Sequence, residues 1–241
     1  RYLGGISVVA TKTEDKSLST VTLLQDLSPE TRSRIAGRCR WRRFGPGQVI
    51  IEPESVDRDV FFIASGRVRV VNFGPQGREV SYCDIDAGGS FGELAAIDGG
   101  PRSAQVQALD NVLAAALDGR TFRQLTEEEP RFAMAVMQRL AGLVRASSTR
   151  ILDISTLGAH NRVHAELLRL ARLGERDDGT ARIEPIPQQA DLAARVSTVR
   201  ETVARVMSDL TKRGILRRDK TALVITDIER LEDLVDSVHD G

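Results

Sequence analysis

Two charged side chains nine positions apart, Glu93 and Arg102, stand with Asp98 in the stretch FGELAAIDGGPRSA, which is otherwise mostly glycine and apolar residues. A turn requires neither charge. Arg102, stiffened by Pro101, offers a planar fork of N–H donors that fits a phosphate. Gly92 lets the backbone approach a ligand closely, Ser103 adds a hydroxyl, and GELAAI reads as a short helix whose first free N–H groups point at an anion. A carboxylate beside that anion is repulsive unless it serves another group of the same ligand, so Glu93 reads as the acceptor for a hydroxyl. A phosphate with a neighbouring hydroxyl describes a sugar phosphate or a nucleotide. The same residues also allow a plain Glu93–Arg102 ion pair across a turn, and spacing alone leaves both readings open.

A second group of reactive types lies near the C-terminal end. Residues 187–213, PQQADLAARVSTVRETVARVMSDLTKR, read as two helices with a tight break near RVST. Leu192, Ala193 and Val196 form the apolar stripe of the first; Val199, Val203, Val206, Met207 and Leu210 form that of the second. The opposite face carries Thr198, Arg200, Glu201 and Arg205, with Thr202 nearby. Arginine can bond guanine through two donors and glutamate can accept from cytosine, so these types suit reading of a DNA major groove. Their position near a helix start fits a helix-turn-helix recognition helix. GILRRDKTALVI reads as a two-stranded wing with Arg217, Arg218 and Lys220 near its turn. Between Pro187 and Lys220, eight lysines and arginines stand against four acidic residues, a local surplus suited to phosphate contact. A solvated helix with ordinary surface charges is the alternative.

The elements that must position these groups fall into three textures. Residues 21–40 read as a helix with Ser28 capping and Pro29 at the first helical position. From Gly45 to about Asp118, the segments QVIIEP, VFFIASG, RVRVVNF, EVSYCDI, SAQVQAL and VLAAALD are separated by turn residues, which indicates a sandwich or barrel. After Pro130 the period becomes helical. Ala133, Met137, Leu140, Val144, Ser147, Ile151 and Ile154 step by four and three, a heptad seam long enough for helix–helix pairing, or for an amphipathic helix lying on its own domain. Ser147, followed by Ser148 and Thr149, interrupts the seam with hydroxyls, and such polar positions often serve specificity or a ligand. A boundary is expected near residue 158, with Gly158 as a hinge.

The remaining composition narrows the classes. Lysine plus arginine equals aspartate plus glutamate at 34 each across 241 residues, which opposes a uniform basic coat but allows a basic face. No run of eighteen apolar residues appears, so no membrane span is expected. The first residues, RYLGGISVVATKTEDKSLS, lack the pattern of a secretory leader, and the absent initial methionine points to a trimmed or engineered start. Cys39 and Cys83 are too few for a disulfide scaffold or a thiolate cluster and read as reduced structural thiols of a cytoplasmic protein. Of His160, His164 and His239, the first two have metal-pair spacing but no further ligand beside them, so they read as helix-surface histidines and no metal is expected.

FGELAAIDGGPRSA closely resembles the phosphate-binding cassette of cyclic-nucleotide-binding domains, found in the bacterial cyclic AMP receptor protein and in regulatory subunits of cyclic-nucleotide-dependent kinases. The resemblance implies that Glu93 bonds the ribose 2′-hydroxyl and Arg102 the cyclic phosphate, with Gly92, Leu94 and Ser103 assisting. PGQVIIEPESVDRDVFFIASGRVRV is similar to the family's first strands, including Gly47 and Gly66, but departs from the usual glycine-aspartate turn at EPES. RETVARVMSDLTKRGIL is similar to the family's recognition helix, which makes Arg200, Glu201 and Arg205 base-reading residues, although RVSTVRET is one residue longer. The family places adjacent hydroxyls of the long helix against the ligand's base, partly across a dimer, and Ser147 and Ser148 are the nearest matches.

The expected architecture is α+β: a β-barrel or jelly-roll cyclic-nucleotide-binding domain over residues 20–129, a dimerisation helix over 130–158 and a winged helix-turn-helix over 159–241. The resemblance implies a homodimeric transcriptional regulator of the Crp/Fnr family. It would respond to cyclic AMP or cyclic GMP, bind palindromic double-stranded DNA and meet RNA polymerase. A same-fold regulator that senses another metabolite, or binds DNA without a nucleotide, is the alternative. Catalysis is not expected, because no activated nucleophile or acid–base pair appears.

Overall fold

The computed structural model describes residues 17–53, 55–74, 77 and 79–236. The leader reading over the first sixteen residues, Glu54 of the EPES turn and His239 fall outside them. The chain divides into two compact units. Among the described residues, one holds those up to Val68 with Ile85–Ser103 and Gln107–Ala135; the other holds Arg69–Asp84, Ala104–Val106 and those from Val136 onward.

In the first unit, a 3-10 turn at Thr22–Leu24 leads to helix α1, Pro29–Arg38. Ser28 caps α1 by accepting a hydrogen bond from the Thr31 N–H at 3.1 Å, which satisfies one orphan donor of the first turn. Along the chain follow strands β1 (Arg40–Phe44), β2 (Val49–Ile51), β3 (Val60–Ser65), β4 (Arg67–Phe73), β5 (Glu79–Asp86) and β6 (Ser90–Phe91), of which β4 from Arg69 and β5 up to Asp84 belong to the second unit. After them come helix α2 (Glu93–Asp98), strands β7 (Gln105–Ala108) and β8 (Val112–Leu117), and helix α3 (Gly119–Glu128). One antiparallel sheet has the order β1-β8-β3-β6, and a second has the order β2-β7-β4-β5. All six residues of β8 are buried between β1 and β3, and its three alanines leave room for both neighbours.

The expected strands are present, and β1 and β6 are additions. RWRRF hides its strand character because its three arginines are exposed and only Phe44 is buried, as an edge strand allows. The two residues of β6 matter more than their number implies. Phe91 pairs with Phe61 across the sheet, and their rings stack at 5.0 Å, fixing the chain immediately before Gly92. Cys39 is partly buried, and its thiol is pushed up to about 12, first by burial and then by the Asp118 charge, which keeps it protonated and unreactive at neutral pH.

Helix α4 runs unbroken over Pro130–Thr156. From Val136 onward it belongs to the second unit, where the seam residues Met137, Val144, Ile151 and Ile154 are 54%, 66%, 65% and 45% exposed. An apolar stripe this exposed, broken only at Ser147, lies bare in the single chain. Gly158 begins helix α5 (Ala159–Leu173) at φ −62 and ψ 159, ordinary extended backbone open to any residue. The expected surface histidines are corrected in part: His160 is exposed, whereas His164 is buried on the α5 face that also carries Val163, Leu167 and Ala171. Burial, and then the nearby charges of Arg213 and His160, lower its pKa.

The rest of the second unit comprises strand β9 (Ala181–Ile183), helices α6 (Gln189–Arg195) and α7 (Arg200–Lys212), strands β10 (Leu216–Arg218) and β11 (Leu223–Ile225), and helix α8 (Ile228–Asp236). The expected two-stranded wing gains β9 as a third strand, in the order β10-β11-β9. Leu167, Leu192, Val203, Val206, Leu210, Ile215, Leu223 and Ile225 share one core. Val199, expected in the buried stripe of α7, is instead its N-cap and is 49% exposed.

Candidate functional site

The cassette forms at the exit of β6. Gly92 has φ +90, a left-handed conformation that favours glycine. A Cβ there would lie 2.8 Å from the Asp59 carbonyl oxygen and 2.9 Å from Arg102 Nη1. Its own carbonyl accepts from Arg102 Nη1 at 2.9 Å. The chain then turns into α2, which ends at Gly99 with φ +71. Two long arginines hold this short helix in place: Arg123 of α3 donates to the Ala96 carbonyl at 2.7 Å, and Arg58 donates to the Gly99 carbonyl at 3.1 Å.

Arg102 returns beneath the turn and is 5% exposed. Its Nη2 donates to the Asp59 carbonyl at 3.0 Å, and Asp59 is itself anchored by an ion pair with Arg40. The same Nη2 pairs with the carboxylate of Asp57, in the loop between β2 and β3. Arg102 Nε is buried and has no hydrogen-bond partner among the described residues. An orphaned guanidinium donor is costly unless a ligand satisfies it. Burial would raise the Asp57 carboxyl, but the hydrogen bond and charge of Arg102 hold it below the usual carboxylate range.

The structure brings Gly92, Glu93 and Arg102 into one cradle, with Glu93 5% exposed. Leu94 and Ser103 lie at its surface, both exposed. Ser147 and Ser148 are exposed on α4, in the other unit. Sequence reasoning missed Asp57 and Asp59; the run of charges in VDRD was the available signal. Replacing Gly92 with Ala forces a Cβ against the Asp59 carbonyl and Arg102 in a backbone region that costs an L-residue about 1–2 kcal/mol. The expected result is a melting temperature lowered by a few degrees and nucleotide affinity weakened at least about tenfold by calorimetry. Unchanged affinity would show that the cradle does not need this close approach.

At the other end, α6 and α7 meet through Leu192, Val196, Val203, Val206 and Leu210. Arg162 of α5 pins the turn between them, donating to the Leu157, Val196 and Ser197 carbonyls at 2.8, 2.8 and 3.2 Å. Ser197 has φ +52, so this turn is held in a conformation that non-glycine residues disfavour. Thr198 lies in the turn, with its N–H bonded to the Ala193 carbonyl at 2.9 Å. Arg200, Glu201 and Arg205 project from the exposed side of α7, while Arg217, Arg218 and Lys220 are exposed on the wing. Thr202 corrects the expectation: it is 8% exposed, because α7 begins at Arg200 and this phase turns position 202 toward the core beside Val203. An open groove of about 860 Å³ between α7 and the wing is lined by Gln189, Arg200, Ser208, Lys212 and Arg218, among others. Its three cations suit a phosphate backbone. No group of three metal-ligating side chains, and no helix long and apolar enough to cross a membrane, occurs among the described residues.

A family model for the cyclic nucleotide-binding domain matches residues 41–129, and one for the Crp-like helix-turn-helix domain matches residues 161–234. A CRP-like cAMP-activated global transcriptional regulator of Mycobacterium tuberculosis is 28% identical over 219 residues, 90% of this chain and 97% of that protein. A cyclic AMP receptor protein of Thermus thermophilus is also 28% identical, over 88% of this chain and 95% of its own. In fold, the chain resembles a CooA mutant from Carboxydothermus hydrogenoformans with a TM-score of 0.77 at 23% identity, covering 89% and 95% of the two chains. With a cyclic nucleotide-binding domain in its first half, a Crp-like helix-turn-helix in its second and relatives matched almost end to end, the chain belongs to the Crp/Fnr family as a cyclic-nucleotide-binding, DNA-binding transcriptional regulator.

Proposed function

We propose that the chain is a homodimeric, cytoplasmic and non-catalytic regulator whose DNA affinity is gated by cyclic AMP or cyclic GMP. Arg102 and Gly92 would bind the cyclic phosphate, Glu93 the ribose hydroxyl, and Leu94 and Ser103 would border the pocket. Ser147 and Ser148 would supply hydroxyls toward the base. The exposed seam of α4 pairs with a second copy. Thr198, Arg200, Glu201 and Arg205 enter the major groove, and Arg217, Arg218 and Lys220 meet the backbone beside it, leaving bound promoter DNA accessible to RNA polymerase. The observation that carries this reading is the buried Arg102 guanidinium with its unpartnered Nε beneath a glycine turn. The relatives in M. tuberculosis and T. thermophilus, named for cyclic AMP, support the choice of ligand class.

Gating follows if the nucleotide binds the DNA-competent arrangement of the dimer better than the other; it shifts the population only by that difference. Binding to a palindromic duplex with half-sites one helical turn apart should rise on adding cyclic AMP, cyclic GMP or both. Arg200→Ala should weaken sequence preference by about 1–3 kcal/mol at one base pair while sparing nucleotide affinity. Equal DNA affinity with and without both nucleotides would overturn gating.

A further inference from the structure

We infer that Asp57 is a built-in competitor of the nucleotide: its carboxylate occupies the anion position on Arg102 and must leave before a cyclic phosphate can take its place. This rests on the nucleotide reading of the cradle. The guanidinium is almost wholly enclosed, with a side chain 2% exposed, and a buried cation needs a counter-charge. Asp57 supplies that charge from outside, since its own side chain is 49% exposed.

Orientation does not require Asp57. The Gly92 and Asp59 carbonyls already fix the guanidinium plane through Nη1 at 2.9 Å and Nη2 at 3.0 Å, and Asp59 is held separately by Arg40. The donors left for a ligand are the unpartnered Nε, the second Nη1 proton and the Nη2 proton that Asp57 accepts. Nε and that Nη2 proton form one edge of the guanidinium, the pair a phosphate would use for two-point recognition. Phosphate and Asp57 together would place two anions on one cation, so the carboxylate is expelled toward solvent on the exposed side of its loop. Asp57 then sets how strongly a ligand must bind. A ligand that also donates a ribose hydroxyl to Glu93 displaces it more readily than an anion offering phosphate alone.

The test compares the full-length wild type with Asp57→Asn and Asp57→Ala by calorimetry against cyclic AMP and cyclic GMP, with melting temperatures measured with and without nucleotide. Both variants should bind about tenfold more tightly than the wild type. Their ligand-free melting temperatures should fall, because Arg102 loses its counter-charge, and the nucleotide-induced rise should grow. The asparagine variant preserves side-chain size, so a folding defect confined to alanine leaves the comparison intact. If the wild type binds nucleotide and both variants bind equally or more weakly, Asp57 positions Arg102 and the inference is overturned. If the wild type and both variants all fail to bind either nucleotide, the cradle reading itself is wrong and the competitor role goes with it.

Discussion

Arg102→Ala is expected to lower cyclic-nucleotide affinity by about 100- to 1000-fold, the loss typical of truncating one partner of a buried, hydrogen-bonded charge pair. The side chain lies beneath the Gly92 turn, where its guanidinium is shielded from bulk water and electrostatic contacts are stronger than at an open surface. Alanine removes the only arginine in FGELAAIDGGPRSA and also leaves the Gly92 and Asp59 carbonyls without their donor. Glu93→Gln should cost less, about tenfold, because the amide oxygen can still accept from a hydroxyl while only the charge is lost. Titration calorimetry with each nucleotide distinguishes the two, and circular dichroism confirms that each variant folds. If Glu93→Gln proves the more damaging, the assignment of phosphate to Arg102 and hydroxyl to Glu93 is wrong. In DNA binding, Arg102→Ala should also abolish the nucleotide-dependent increase while retaining the nucleotide-free level.

The cassette was legible in the sequence because glycine, glutamate and arginine at these spacings carry backbone and charge requirements that few other turns share. The partner of Arg102 was not. Asp57 is 45 positions away and an ordinary acid in an exposed loop, so only the fold shows which cation it meets. Most strands were visible as apolar runs between turn residues, but RWRRF was not, since an edge strand can expose charges on its free face. On α7 the apolar stripe identified the helix, whereas its start determined the faces of individual residues. Each residue turns the helix by about 100°, so starting at Arg200 sends Thr202 inward and leaves Val199 as an exposed cap. His164 became buried for the same reason of phase on α5.

Long-range charge pairing was the least legible feature, and its removal carries the second large expected effect. Arg69→Ala should destabilise the second unit by about 3–5 kcal/mol, as breaking a buried ion pair does. Arg69 of β4 is 7% exposed at its side chain and grips Asp84 of β5 with both prongs, Nε–Oδ1 at 2.7 Å and Nη2–Oδ2 at 3.0 Å. Its third nitrogen reaches Asp191 of α6 at 2.6 Å. Arg195 of α6 closes the network by pairing with Asp84 and, at 3.3 Å, with Glu166 of α5. Alanine therefore leaves two carboxylates short of a partner at once, and unfolding monitored by denaturant should show the loss.

The pH dependence tests the same network through Asp84. Burial alone would raise its carboxyl, but the Arg69 hydrogen bond and the Arg195 and Arg69 charges hold it below the usual range. A carboxylate whose folded pKa is depressed contributes stability above its unfolded value, about 3.9, and loses it as pH falls through the folded value. The stability gap between wild type and Asp84→Asn should stay level from pH 7 to 5 and close only below about pH 4. A gap already closing between pH 7 and 5 would mean that Asp84 is not held ionised by these arginines. Arg69→Ala costing less than about 0.5 kcal/mol would reduce the network to an ordinary surface pairing. This charge cluster therefore ties Asp191 and Arg195 of α6 to Arg69 and Asp84, strand residues more than a hundred positions earlier in the sequence, and adds to the apolar core that the helices already share.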